Sequence, residues 1–444
     1  MLVFSFITGL GNAPALAESG LNAVFYLLLA AVAVLIPVGL VSAELASGWP
    51  RAGGIYLWVS EAFGSRTGFV AMWFVWVSAL VSFPGLFSVL VAAAVFVIAP
   101  GLDGSTWFLG GVGLVVGWVA TLFTFLGVRA TGIVTTIANL TAVLIPALAI
   151  VGLGIAYLAD GRPTQIDLSL GGIVPDFSSL AAISIAVSAY FTFAGGENAA
   201  QYVTSVRAPR RVFPRAMFLG ATLCLLVFVP VTVVLAATVP RDELSLAVGI
   251  LQVLKILLDT FSVGFLVPVF AALLTLGACA SLPNLLAATA AGMHAATVDG
   301  HLPPRFARTN RRGVPVALLL LQAALASVVS AAFFAVQTVD LAFWVVTVMG
   351  LQTTLAYYLL MYAAALRLRR TQPDTPRPFR VPGGRVGMSA VAGLGFCFAL
   401  VTLALSFIPP DQLGSIHPAV FDGILAVVLL GTAVSGLRLA ARRG

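Results

Sequence analysis

The chain has 444 residues, 60% of them hydrophobic and only 9% charged, with a formal net charge of +7. Soluble domains carry about 25% charged residues, so this composition excludes a water-soluble fold. Apolar runs long enough to cross a hydrocarbon core of about 30 Å recur along the whole length, and the ten-residue alternation of a membrane β-barrel is missing.

Twelve membrane spans are predicted, at 1–20, 22–46, 67–99, 106–127, 131–158, 177–205, 213–239, 263–297, 315–337, 340–366, 386–408 and 419–440. The first begins at Met1 without a charged flank, so a very short tail or a start further upstream is expected. The stretch 240–262, PRDELSLAVGILQVLKILLDT in its greater part, reads as an external loop carrying a short amphipathic helix. No soluble domain or cleavable signal peptide is evident. Cys224, Cys279 and Cys397 each sit alone in an apolar run, without the spacing of a disulfide framework or metal site.

The charges sort by loop. With the N-terminus in the cytoplasm, every Lys and Arg of the 23 except Arg162, Arg241 and Lys255 falls in an inner loop or the C-terminus. Most acids run the other way, among them Asp103, Asp160, Asp167, Asp176, Asp242, Glu243, Asp259, Asp340, Asp411 and Asp422. This is the positive-inside asymmetry, and it requires an even number of spans with both termini inside. The basic balance is thus a topology signal, and no nucleic-acid partner is implied. Glu18, Glu44 and Glu197 remain within spans or at their ends, with no Lys or Arg expected at membrane depth to pair with them.

Two spans are interrupted. In the sixth, FTFAGGEN (191–198) places Gly195, Gly196 and Glu197 inside an apolar stretch. A charge at the bilayer centre costs about 2.5–3.5 kcal/mol on the gentlest scales. Paired glycines let the helix unwind there, and unwound backbone is tolerated at that depth only along a protein-lined or watery cavity. In the first span, FSFITGLGNAPALAESG (4–20) is broken by Gly9, Gly11, Asn12 and Pro14. These breaks open two successive groups of five spans, the pattern that marks the binding site of an inverted-repeat transporter. Half-helix N-termini would offer N–H groups to a carboxylate, and freed carbonyls would suit an ammonium.

At these residues the chain resembles the amino acid–polyamine–organocation (APC) transporter superfamily. FTFAGGENAAQYVTSVRAPRRVFPRAM (191–217) is similar to its sixth-helix signature. PALAESGL (14–21), IPVGLVSAELASGWPRAGGIYLWVSEAFG (36–64), DGHLPPRFARTNRRGVPVALLLLQ (299–322), RPFRVPGG (377–384) and SFIPPDQ (406–412) resemble segments of its glutamate:GABA antiporter family. The resemblance implies an all-α fold of 12 transmembrane helices, a five-plus-five inverted repeat over 1–158 and 177–366, and peripheral spans at 386–440. Helices 1 and 6 would be unwound at mid-membrane. By motif position Thr8, Gly9, Gly11, Phe193, Ala194, Gly195 and Gly196 would contact substrate, Phe191 would be the aromatic gate, and Glu197 a protonatable coupling residue. No cofactor, metal or catalytic residue is implied.

The eighth span departs from the family pattern. LPNLLAATAAGMHAATVDG (282–300) keeps only Gly292 and Asp299-Gly300, with Leu285, Thr289, Ala290 and Ala291 elsewhere and a new His294. The fifth span, ANLTAVLIPALAI (138–150), has no lysine of the kind that drives some proton-coupled relatives. His294 reads as a pH sensor or an interfacial residue, and Glu44 as a brace for the inner loop or a substrate contact. Trp73, Trp76 and Phe83 read mainly as packing. With no cation expected in the pocket, an α-amino acid with a neutral side chain, or an amine, suits Glu197 better than glutamate does. The expected function is alternating-access exchange of amino acids across the cytoplasmic membrane. A proton-coupled amine or polyamine permease is the second reading, and a membrane receptor or enzyme the third.

Overall fold

The computed structural model describes residues 11–98, 106–167, 169–175, 180–205, 208–246, 248–334, 339–408 and 418–441. The described residues form sixteen α-helices and several 3₁₀ and π segments, and no strand occurs among them. In chain order the helices are α1 (Ala13–Ala17), α2 (Asn22–Ala30), α3 (Ile36–Gly48), α4 (Ile55–Phe63), α5 (Ser65–Ile98) and α6 (Thr106–Thr124). Then come α7 (Val128–Asn139), α8 (Ile145–Ala159), α9 (Leu180–Thr192), α10 (Pro209–Thr238) and α11 (Gly249–Thr260). The last five are α12 (Val267–Val298), α13 (Val316–Phe334), α14 (Val339–Thr371), α15 (Gly384–Leu405) and α16 (Pro418–Ala441).

Among the described residues, eight helices are long and apolar enough to cross a membrane, and two shorter apolar helices cover Gly110–Thr124 and Val316–Ala331. Eight of the predicted spans thus coincide with full-length candidates, and the fourth and ninth with the shorter pair. Large apolar side chains such as Leu226, Phe265, Leu276, Val328 and Val427 are exposed on these helices. Such a surface would drive association in water but is what lipid chains solvate.

Proline punctuates several of the long helices. Pro84 lies inside α5, Pro214 and Pro230 inside α10, and Pro283 inside α12. The pentapeptide Ala-Val-Leu-Ile-Pro occurs twice, at 33–37 and 142–146, and each time a π-helical turn, Ala31–Leu35 or Leu140–Leu144, ends just before its Ile-Pro. Proline has no N–H to give the α-ladder and its ring crowds the preceding turn. A wider turn at that point accommodates both problems.

Helix α5 is the central element, packed against α4, α6, α12, α13, α14 and α16. The inner loop expected between the second and third spans holds a helix of its own, α4. Gly53 and Gly54 turn the chain into it with φ of +118° and +49°, and Gly64 ends it at +92°. Ile55, Tyr56, Trp58 and Val59 bury its apolar side. The expected amphipathic helix of 240–262 is α11, with Leu251, Val253, Leu254, Leu257 and Leu258 buried and Lys255 and Asp259 exposed.

The loops segregate as the charge pattern anticipates. At one end Asn310 Nδ2 donates to Phe125 O (3.2 Å), Ser47 Oγ to Phe379 O (3.2 Å), and Tyr56 OH to Asp299. At the other, Gln165 N donates to Ala237 O (2.9 Å) and the Arg162 guanidinium lies 5.7 Å from the Phe261 ring. The first group consists of the arginine-rich loops.

Candidate transport site

The sixth predicted span is not one helix. Helix α9 stops at Thr192, Gly195 takes φ +102°, and the chain continues as a 3₁₀ helix over Gly196–Ser205. An L-side chain rarely adopts that φ, so glycine at 195 is what allows the reversal. A methyl group placed on Gly195 would approach only Asn198 Nδ2, at 3.9 Å, so the position is open as well as unusual in backbone.

The first interrupted span enters the described residues at Gly11. Gly11 and Asn12 form a 3₁₀ turn that leads into the five-residue α1, whose first turn holds Pro14. Gly20, at φ +62°, then turns the chain into α2. Nothing among the described residues lies within 4 Å of a methyl built on Gly11. Helix α1 packs against α9, α10 and α11, so the two interrupted elements are neighbours.

Of the predicted contact residues, Thr8 and Gly9 lie outside the described residues. Phe193 is fully buried, with its ring edge-on to Phe228 of α10 at a centroid distance of 5.9 Å. Ala194 and Gly195 are half-buried and Gly196 is buried, all within the break. Phe191 is the second-last residue of α9. Gly11 leads into α1 and residues 193–196 follow α9, and α1 packs against α9.

Glu197 is 1% exposed. Its Oε1 accepts from Tyr357 OH (2.9 Å), and its Oε2 accepts from Tyr358 OH (2.6 Å) and from the Gly195 N–H (3.1 Å). The Gly195 N–H also reaches Tyr358 OH at 3.0 Å. No Lys, Arg or His among the described residues makes an ion pair with it. The carboxylate is therefore held entirely by neutral donors, two of them carried by α14. Tyr357 and Tyr358 escaped the sequence reading, although the run LAYYLLMYAAA (355–365) places three tyrosines in one apolar span. Their rings and that of Tyr362 form a contiguous set, with centroids 5.0 and 6.1 Å apart.

Glu44 behaves differently. Its carboxylate accepts from Arg369 Nη2 (2.9 Å) and from the Val381 N–H (2.7 Å), and it pairs in charge with Arg369 Nε at 2.9 Å and Arg377 Nε at 3.7 Å. Arg377 stacks over Trp49 at 5.0 Å and donates to Leu368 O and Gln372 O. Glu44 braces the loop between α14 and α15, and the cation not expected at its depth is supplied by the end of α14. His294 Nε2 lies 3.0 Å from Ala307 O and ties α12 to the following loop. Trp76 Nε1 donates to Gln322 Oε1 (3.1 Å) and Gln322 Nε2 to Thr289 Oγ1 (2.8 Å), a buried chain joining α5, α13 and α12. Gln322 was not singled out by the sequence.

With two neighbouring interrupted helices and a tyrosine-held glutamate at one of them, comparison with known proteins is decisive. The amino acid permease family model matches residues 1–431. The chain belongs to the amino acid permease family. This bears out the APC-superfamily resemblance, and the family is one of membrane transporters. A glutamate/gamma-aminobutyrate antiporter of Lactococcus lactis is 30% identical over 441 residues, covering 98% of this chain and 87% of that protein. An uncharacterized transporter of Legionella pneumophila is 33% identical, over 92% of this chain and 88% of its own length. A probable agmatine/putrescine antiporter of Lactococcus lactis is 25% identical, over 89% and 84%. The permease is thus similar both to a protein named as a glutamate/gamma-aminobutyrate antiporter and to one named as a probable agmatine/putrescine antiporter.

Proposed function

We propose that this permease exchanges amino acids across the cytoplasmic membrane by alternating access. In this reading it has 12 transmembrane helices, a five-plus-five inverted repeat over 1–158 and 177–366, and spans 386–440 at the periphery, with both termini cytoplasmic. Thr8, Gly9, Gly11, Phe193, Ala194, Gly195 and Gly196 hold the substrate between the two breaks. Phe191 closes over it. Glu197 couples binding to movement.

The observation that carries this reading is Glu197 itself, a buried carboxylate beside the Gly195 reversal with Tyr357, Tyr358 and a backbone N–H as its partners. Two of its donors come from α14 and one from the break, so the break and α14 are linked through one titratable group. Ionised, Glu197 accepts three hydrogen bonds and holds α14 against the break. Protonated, it becomes a donor on one oxygen and that grip weakens. A change in its protonation therefore alters the contact between two elements that alternating access must separate.

The charge balance favours an ammonium-bearing substrate without a second carboxylate. An α-amino acid with a neutral side chain, or an amine, meets Glu197 and free carbonyls without needing a cation. The similarity to an agmatine/putrescine antiporter favours the second reading, a proton-coupled amine permease using the same glutamate. Counterflow distinguishes them. Purified protein in liposomes preloaded with unlabelled amino acid takes up labelled substrate faster than empty liposomes if it is an exchanger. Equal rates, with uptake that follows an imposed proton gradient, support the permease. Glu197→Gln is expected to flatten the pH profile of transport, and an unchanged profile removes its coupling role.

A further inference from the structure

A ten-residue 3₁₀ helix is out of the ordinary. Side chains at i and i+3 eclipse and the hydrogen bonds are poorly aligned, so runs beyond three or four residues are uncommon and a longer stretch marks strain or a hinge. Gly196–Ser205 sustains it for ten residues, directly after the Gly195 reversal.

Within this segment sits Gln201, 3% exposed. Its side chain is wedged between the start of α4 at Gly54, Met72 on α5 and Gly292 on α12. Nε2 reaches only the Met72 sulfur, at 4.0 Å, and Oε1 has no hydrogen-bond partner. A thioether is a weak acceptor, so the carboxamide is nearly unsatisfied at both ends. The pocket is nevertheless shaped to it. A methyl at Gly292 would overlap Gln201 Oε1 and crowd Met72 Sδ, and a methyl at Gly54 would lie 3.3 Å from the amide carbon. Buried polar groups are almost always paired, and an exception calls for a reason. A strained segment carrying an orphaned amide in a fitted pocket is explained if a second conformation relieves both.

We propose that Gln201 is an inner-gate residue, packed in this state with only the weak Met72 sulfur as a partner and fully hydrogen-bonded only when Gly196–Ser205 rewinds from 3₁₀ to α-helix as the arginine-rich end opens. This rests on the transport reading above. Ten residues span about 20 Å as a 3₁₀ helix and about 15 Å as an α-helix, and four residues of rewinding turn Gln201 by about 80° relative to Glu197. Because Tyr357 and Tyr358 hold Glu197 to α14, the turn falls on the Gln201 end. It carries the amide out from between Gly54, Met72 and Gly292, which removes the contact that joins α4, α5 and α12 at that level.

The test is Gln201→Met, which keeps the length of the side chain and removes the unpaired amide. It is expected to melt at a higher temperature than wild type while counterflow slows about tenfold, the rate equivalent of roughly one net hydrogen bond. A residue with only a structural role would give the higher melting temperature with exchange unchanged. That result, or a lower melting temperature, overturns the proposal. A second arm uses Gln201→Cys in a background carrying Cys224→Ala, Cys279→Ala and Cys397→Ala, with a membrane-impermeant thiol reagent applied from the arginine-rich side. Labelling is expected to be several-fold faster during exchange than in substrate-free vesicles, and equal rates overturn the swing. Wild type run alongside separates the two ideas. If it shows no counterflow, the transport reading fails; if it exchanges while labelling stays flat, Gln201 does not move.

Discussion

Removing the hydroxyl of Tyr358 is the sharpest probe of the Glu197 linkage. Tyr358→Phe deletes one group that donates to Glu197 Oε2 at 2.6 Å and accepts from the Gly195 N–H at 3.0 Å. The ring stays in place against Tyr357 and Tyr362, so packing is preserved and the loss is electrostatic. The Gly195 N–H keeps its contact to Glu197 Oε2 at 3.1 Å, so no backbone donor is orphaned. The magnitude depends on the charge of the carboxylate. A hydrogen bond to a charged group is worth about 1.5–3 kcal/mol, whereas neutral side-chain hydrogen bonds in membrane proteins average about 0.6 kcal/mol. A double-mutant cycle of Tyr358→Phe with Glu197→Gln, read by reversible unfolding in mixed micelles, isolates the pair. The expected coupling is about 1.5–3 kcal/mol at pH values where Glu197 is ionised, falling toward about 0.6 kcal/mol as acid protonates it. The sign follows from the acceptor: stability from this pair is present at the high-pH side and lost as pH falls. A coupling near zero throughout, or one that does not change with pH, refutes the argument that α14 is held through a titrating carboxylate.

Gly195→Ala forces a β-carbon onto φ +102°; strain of about 1–3 kcal/mol is expected, with counterflow lost more severely than thermal stability. Glu44→Gln leaves the Arg369 and Arg377 guanidiniums buried beside a neutral amide. Breaking a buried pair costs about 3–5 kcal/mol, so a large drop in melting temperature and in folded yield should follow, and a wild-type melting curve would contradict the bracing role. Gln322→Leu orphans Trp76 Nε1 and costs Thr289 Oγ1 its Gln322 partner. About 1–3 kcal/mol of destabilisation is expected from the unmade bond, visible as a downward shift in thermal melting.

Much of this protein was legible in its residues because membrane physics leaves few alternatives. Apolar runs of about 20 residues can only be helices in lipid, and the arginine distribution sorted the loops into two groups that the structure places at opposite ends. The Gly-Gly-Glu break was visible because glycine and a lone carboxylate are costly in an apolar helix. The α11 helix showed in its alternation of leucines with Lys255 and Asp259. Helix α4 did not show, since nine residues between two glycine turns carry too little periodicity to stand apart from a loop.

What the sequence determined by itself was local: helical spans, the sorting of their loops by charge, and the place where one of them must break. Only the tertiary structure decided which groups meet. Tyr357 and Tyr358 lie 160 residues and more from Glu197, Arg369 lies 325 from Glu44, and Gln322 lies 246 from Trp76. Spacing along one helix fixes a face, but a partner across the bundle depends on how helices rotate and pack. That packing turned Glu197 from a lone charge into the point where the broken helix is fastened to α14.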